Sequence, residues 1–408
     1  MHLEPSSPQT VAVSARTGHR ARTRPALVTD LDLRNAVWGA RGLGRAGVRV
    51  HGLAPRRSAA GLRSRHVEAR GRAGDVLQDP AGFLAGVEAL ADERHPLVLY
   101  PVREESIAAA ALWDDPPPGI LLPFSRAALP LIRDKGALEA LAESAGLQTP
   151  RTLGSGTAAE LAGAEAPVPC VVKPALPGGA LATARIAHDA DALEALLASL
   201  PGDERLILQE RAVGPLVSLA LVLDRQGNVT ARFQEVARRT WPSEAGSIAL
   251  SESVAAEDEL VERAARMLRA AGYWGLAQLD LIAGPAGPAL LDVNPRFYGC
   301  MPLALACGVN LPAAWHAAVV DRSFHAPAAY TVGLRYRWLE GDVYAALRGS
   351  PGRLLRPARR ARAGAMWDRT DPLPSALLAL EAMARPVLKR LPGGGVAGPP
   401  FVDPGRAA

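Results

Sequence analysis

The run Leu290-Leu291-Asp292-Val293-Asn294-Pro295-Arg296-Phe297-Tyr298-Gly299 decides how this chain is read. Its first half is an apolar strand in which alternate residues face the same way, so Asp292 and Asn294 project together and Pro295 ends the strand. Upstream, Trp274 to Ile282 reads as a neighbouring strand with Gln278 and Asp280 on one face. Side by side, the two strands gather hard oxygen donors of the kind magnesium prefers. That ion takes one or two carboxylates and completes its shell with phosphate oxygens and water. Arg296, just past the proline, is placed to hold a transferring phosphoryl group. An isolated Asn-Pro pair is ordinary turn punctuation. The apolar entry, the two donors at alternate positions and the following arginine together favour a site.

Among the 46 Lys and Arg residues only Lys135, Lys173 and Lys389 are lysine. In so arginine-biased a composition, a lysine marks a position that needs a compact ammonium and not a planar fork. Arg133-Asp134-Lys135-Gly136 opens a helix, where free backbone N–H groups favour an anion, and Val171-Val172-Lys173-Pro174 ends a strand. Compact positive charge in a cleft of low effective dielectric attracts an anion more strongly than it would in water. The segment Pro174 to Ala184, containing Gly178 and Gly179, is a small-residue loop suited to closing over phosphates with its backbone amides.

The 408 residues, 49% hydrophobic and 21% charged, suit a globular chain of two or three packed lobes. Apolar runs such as Leu216 to Leu223 fall far short of the roughly 18 to 20 residues that cross a bilayer, so no membrane helix is expected. Residues 1–25, rich in Ser, Thr and Arg, read as a disordered extension. Residues 26–120 alternate strands and helices as an open α/β domain. Residues 121–330 form a larger α+β domain with a small lobe at about 150–213, and residues 331–408 form a helical, Arg-rich extension with a disordered tail. The net charge of +5 is spread over scattered arginines, which predicts no nucleic-acid surface. Cys170, Cys300 and Cys307 match neither a disulfide framework nor zinc spacing, which predicts a reduced, cytoplasmic setting. Gly39, Gly42, Gly44 and Gly47 lie in or at the end of a helix and not between strand and helix, a poor match to a dinucleotide-binding turn.

The Asp292-x-Asn294-x-Arg296 motif, with Gln278 or Asp280 upstream and Lys135 and Lys173 before them, resembles the ATP-grasp superfamily over about residues 120 to 320. The resemblance implies an ATP-grasp fold of α/β and α+β parts, preceded by an N-terminal open α/β domain. It implies a ligase that uses ATP and magnesium, or manganese in its place, to activate a carboxylate as an acyl phosphate. An amine then displaces phosphate, with ADP and phosphate released.

The same resemblance implies roles by position. Arg296 and Lys173 would be catalytic. Lys135, Lys173, Gly178 and Gly179 would hold the ATP phosphates, and the strand leading through Glu210, Arg211 and Val213 would reach the hinge whose backbone holds adenine. Gln278, Asp280, Asp292 and Asn294 would be the metal ligands. Gln278 stands 14 residues before Asp292, as in carbamoyl-phosphate synthase, while Asp280 has the spacing of other members, so both stay candidates. The segment from Glu235 to Ser247 resembles a loop over the acceptor pocket, where Arg238 and Arg239 would grip a substrate carboxylate bidentately. The chain departs from the family pattern at Pro215 and Leu216, where an acid for the ribose is common, and at Asp292, where Glu is usual. Small-molecule carboxylate and amine partners follow, with a homodimer as the candidate assembly and neither nucleic acid nor membrane. The competing readings are a catalytically silent ATP-binding regulator and an ATP-grasp enzyme that uses bicarbonate or releases an acyl phosphate.

Overall fold

A computed structural model describes residues 24–91, 97–163, 166–175, 180–181, 183–241, 246–285, 287–324, 326–327, 329–347, 352 and 361–388. The expected extension before residue 24, Gly178 and Gly179 of the glycine loop, and the tail after 388 lie outside the described residues.

Three sheets organise the chain. The first is β1 (Ala26–Val28), β2 (Val50–Ala54), β3 (Val67–Arg72), β4 (Leu97–Tyr100) and β5 (Ile120–Leu121), in the order β3-β2-β1-β4-β5 with every pair parallel. Every residue of β1 and β4 is buried, because a parallel sheet is covered on both faces and its central strands read as continuous apolar runs. The second sheet is β6 (Thr152–Thr157), β7 (Cys170–Pro174), β8 (Arg185–Ala187) and β9 (Arg205–Glu210), in the order β6-β9-β7-β8 with antiparallel pairs. It has a core of its own, in which Val172, Leu193, Leu206 and Leu208 take part.

The third sheet contains β10 (Leu216–Leu223), β11 (Val229–Trp241), β12 (Ser247–Val254), β13 (Gly275–Gly284), β14 (Gly287–Asn294), β15 (Arg335–Arg337) and β16 (Ala361–Gly364), in the order β14-β13-β10-β11-β12-β15-β16. Its core is continuous with that of the first sheet. The helices Arg34–Arg45, Met301–Ala306 and Leu311–Val319 pack together between the two sheets. One of the N-terminal glycines serves this junction directly, since a Cβ on Gly39 would lie 2.2 Å from the Phe297 ring. Phe297 in turn stacks on Tyr100 at 5.4 Å between ring centroids.

Two expectations are corrected. The region beyond 331 is not helical throughout, because β15 and β16 extend the third sheet from the open edge of β12. A three-residue Arg-Tyr-Arg strand is too short to show a period in the sequence, although the buried Tyr336 between two half-exposed arginines follows the strand alternation. The segment carrying Arg238 and Arg239 is not a loop either, for β11 runs four residues past Ala237 and pairs with β12 across two register shifts. Those bulges break the apolar alternation that marks a strand in sequence.

Candidate active site

Strand register assembles the first cluster. In β13 and β14, Gln278 lies opposite Asn294 and Asp280 opposite Asp292, so the four side chains share one face. They touch. Asn294 Nδ2 donates to Gln278 Oε1 at 2.9 Å and to Asp280 Oδ2 at 3.3 Å, while Gln278 Nε2 donates to Asp280 Oδ1 at 2.7 Å. Gln278 also donates to Ser218 Oγ on β10 at 2.7 Å. Burial lifts the Asp280 carboxyl to about 7; the Gln278 hydrogen bond and Arg296 oppose that rise and the nearby Asp292 adds to it. Two carboxylates that repel across a strand pair suit a divalent cation, and to join them as ligands the amides of Gln278 and Asn294, which turn their nitrogens to Asp280, would have to turn their oxygens in. Magnesium fits this donor set, with phosphate and water to fill the remaining positions. Among the described residues no group of three or more His, Cys, Asp or Glu side chains is placed to hold an ion.

The lysines close the site from the small sheet and from a helix end. Lys173, at the end of β7 and only 7% exposed, donates from Nζ to the Leu291 carbonyl at 3.3 Å, beside Asp292. Burial first, and the nearby Lys135 after it, lower its ammonium to about 8 against the pull of Asp292 and Glu139. Lys135 is the first residue of the helix Lys135–Ser144, whose N-cap Asp134 accepts from Ala137 N at 2.8 Å. Lys135 and Lys173 are near enough to repel each other, and Lys173 is near enough to Asp292 to be attracted by it.

Arg296 is held from two sides. Its Nη2 donates to Asn294 Oδ1 at 3.0 Å, and its Nε donates to Glu104 Oε1 at 2.5 Å. Glu104 comes from the first sheet, at the start of the helix Glu104–Ala111 just past β4, and its other oxygen meets Arg133 at 3.1 Å. Asp30 fixes this turn by accepting from Val102 N and Arg103 N, each at 3.0 Å, and from Ser106 Oγ at 3.0 Å. Burial works to raise the Glu104 carboxyl, but Arg296 and Arg133 outweigh it and hold it below its usual range.

The match is to solved structures as well as to this geometry. The family described as "ATP-grasp in the biosynthetic pathway with Ter operon" matches residues 203–342. A biotin carboxylase in complex with β,γ-ATP from Campylobacter jejuni superposes with a TM-score of 0.58 at 16% identity, over 76% of this chain and 74% of that one. The ADP complex of N5-carboxyaminoimidazole synthetase from Staphylococcus aureus gives 0.59 at 14%, over 82% and 86%. The chain has the ATP-grasp fold. An L-amino acid ligase from Bacillus licheniformis shares it, with a TM-score of 0.54 at 16% identity over 73% and 75%. No curated protein sequence matches the chain.

Within this ATP-grasp fold the remaining expected residues are placed less centrally. Glu210, exposed at the end of β9, pairs with Arg151 at 2.5 Å, and Arg211 follows it. Val213 is 71% exposed just before β10. Arg238 and Arg239 are committed to internal carboxylates: Arg238 to Glu252 at 3.4 Å and Arg239 to Asp342. The sequence reading had both arginines grip a substrate carboxylate; in the structure each has a carboxylate partner within the chain. Sequence reasoning missed Glu104. An acid pair directly after an apolar strand of an open parallel sheet was the available signal for Glu104, since ligands bind at the carboxyl ends of such strands. Among the described residues no helix is long and apolar enough to cross a membrane.

Proposed function

We propose that this chain is an ATP- and magnesium-dependent ligase that activates a carboxylate as an acyl phosphate and joins it to an amine. The observation that supports the reading is the hydrogen bond from Lys173 Nζ to the Leu291 carbonyl, next to Asp292 on the strand that carries the proposed metal ligands. ATP with magnesium would supply the γ-phosphoryl group in a form whose charge is already partly neutralised. Asp292, Asn294, Asp280 and Gln278 would hold the ion, and Lys135 and Lys173 the phosphate oxygens. Arg296 would balance the charge that develops as the phosphoryl group reaches the substrate carboxylate. The likeness to an L-amino acid ligase supports an amine as the second substrate, and the likeness to a biotin carboxylase makes bicarbonate an arm of the test.

The test is release of ADP from MgATP across a panel of carboxylates and amines, with bicarbonate among the acids. ADP release that requires an acid and an amine together is the expected result. Release with bicarbonate alone would make the chain a carboxylating enzyme, and silence across the panel alongside tight nucleotide binding would make it a regulator.

A further inference from the structure

Asn35 and Arg296 meet on one oxygen. Asn35 Nδ2 donates to the Phe297 carbonyl at 2.9 Å, and Arg296 Nη1 donates to the same carbonyl at 3.4 Å. The start of the helix Arg34–Arg45 is thereby held against the turn that follows the motif arginine. Its first residue, Arg34, reaches that turn as well, for a Cβ on Gly299 would lie 3.4 Å from Arg34 Nη2. In the first sheet β2 and β3 lie on one side of β1 while β4 and β5 lie on the other, so the strand order reverses between β1 and β4. In open α/β sheets ligands bind beyond the carboxyl ends of the strands at such a point. Arg34 follows β1 there as Glu104 follows β4.

The Arg34 Cζ lies 4.4 Å from the centre of the Trp338 ring. Trp338 is a fixed platform: the residue is buried, its backbone N donates to the Ala249 carbonyl at 2.8 Å, and Gly341 comes so near that a Cβ there would overlap the ring. Strand register carries the metal-ligand face from Asp280 through Ser218 and Glu235 to Tyr336 on β15, and Trp338 stands two residues on, facing the same way. The ring therefore holds the Arg34 guanidinium over the face of the third sheet that carries the metal ligands.

Stacking occupies the flat face of a guanidinium and leaves the N–H donors at its edge for other partners. Among the described residues Arg34 makes no hydrogen bond or ion pair, and it is part-exposed, with none of its nitrogens sealed from solvent. Other arginines around the site each meet a carboxylate of the chain: Arg133 and Arg296 meet Glu104, Arg238 meets Glu252, and Arg239 meets Asp342. Burial raises the Glu340 carboxyl; its own backbone hydrogen bond and Arg34 oppose that rise, and Asp342 adds to it. One guanidinium with an acid in its field suits a carboxylate better than a doubly charged phosphate ester.

Resting on the ligase reading above, we infer that Arg34, laid on Trp338, grips a carboxylate that does not itself react, carried by one of the two substrates. The reacting group stays with Arg296 and the metal-ligand face, and Arg34 selects the substrate by its far end.

Two measurements on the full chain test this. In the first, thermal unfolding of the wild type, Arg34→Met and Arg34→Lys is followed in the presence of a magnesium–ATP analogue. The proteinogenic L-amino acids, succinate, glutarate and adipate are supplied one at a time, each beside its carboxamide counterpart. At least one carboxylate should raise the wild-type Tm more than its amide does. An amino acid in that place assigns the grip to the amine substrate, and a dicarboxylate assigns it to the acid. Arg34→Met should lose the preference. Arg34→Lys, which keeps the charge but not the fork, should lose most of it and serves where Arg34→Met does not fold. In the second, ADP release from MgATP is measured with the preferred compound, whose KM should rise by about tenfold or more in Arg34→Met, the worth of a charge-assisted hydrogen bond. The effect should fall on KM more than on kcat, as for a contact made equally in the bound substrate and the transition state. A wild type that distinguishes no carboxylate from its amide, or variants that keep the wild-type preference, overturn the proposal even where ADP is released. Carboxylate-dependent stabilisation with no ADP release from any acid and amine overturns the ligase reading instead.

Discussion

Glu104, at the start of the helix after β4, and Arg296, just past the end of β14, share a hydrogen bond of 2.5 Å, so the motif arginine is oriented by a residue that lies 192 positions away in sequence. Arg133 contacts the same carboxylate at 3.1 Å, which leaves Glu104 little freedom to move off Arg296. Displacing a positioned group by an ångström can lower a rate by about 100-fold. Glu104→Gln is therefore expected to lower kcat by roughly 10- to 100-fold, while affinity for a magnesium–ATP analogue, measured by calorimetry, stays near the wild-type value. A parallel loss of nucleotide affinity would show that Glu104 supports the fold and not the arginine.

Arg296 itself faces a harder test. Removing a preorganised donor that stabilises developing charge costs roughly 2.7–4 kcal/mol in barrier, so Arg296→Ala is expected to slow turnover by about 100- to 1000-fold. Steady-state ADP release at saturating substrate measures this, and full activity in the variant would remove Arg296 from the chemistry.

The metal-ligand face predicts a signature that needs no substrate. Outer-shell partners alone are worth about 10- to 100-fold in metal affinity, so loss of a direct ligand belongs at the upper end of that range. In Asp292→Asn, magnesium should no longer strengthen binding of a non-hydrolysable ATP analogue, whereas binding without magnesium should change little. An unchanged magnesium effect would mean that Asp292 does not hold the ion.

What the sequence made legible was local. Asp292, Asn294, Gln278 and Asp280 could be placed on one face because strand alternation is a property of the backbone, and the pairing of β13 with β14 sets that register. Lys135 and Lys173 stood out because lysine is rare in this chain. Glu104 was hidden for the opposite reason. Its surroundings are built by contact with the distant Arg296. The fates of Arg238 and Arg239 were hidden likewise, since Glu252 and Asp342 reach them only once β12 and the helix Leu339–Leu347 are in place.

The C-terminal segment is pinned to the N-terminal sheet by a fully buried cation. Arg41 Nε donates to Asp371 Oδ2 at 2.9 Å, and the same carboxylate accepts from Ser64 Oγ at 2.7 Å and Arg65 N at 3.0 Å. Removing one partner of a buried pair leaves an uncompensated charge, at a typical cost of about 3–5 kcal/mol. Asp371→Ala should lower stability against urea by that amount. A change below about 1 kcal/mol would mean that Asp368, whose Oδ2 lies 3.6 Å from the same Arg41 Nε, takes the place of the lost carboxylate.

Lys173 offers a prediction with a definite sign. Its ammonium titrates near 8 in the folded chain and near 10.5 when unfolded, because burial first and Lys135 second disfavour the charged form. Between those values the unfolded chain holds more protons, so the lysine's contribution to stability rises with pH through this window. Below it the full penalty is present, on the order of 3 kcal/mol. Lys173→Met should thus raise the Tm of the nucleotide-free protein at neutral pH, and the wild type should draw level with the variant as pH climbs from 8 towards 10.5. A polyphosphate reverses the preference by favouring the ammonium, so the wild type should take up a proton on binding a magnesium–ATP analogue, and affinity should fall as pH rises above 8. Calorimetry in buffers of different ionisation enthalpy reads that uptake directly, and binding without proton uptake above 8 would place the triphosphate somewhere other than against Lys173.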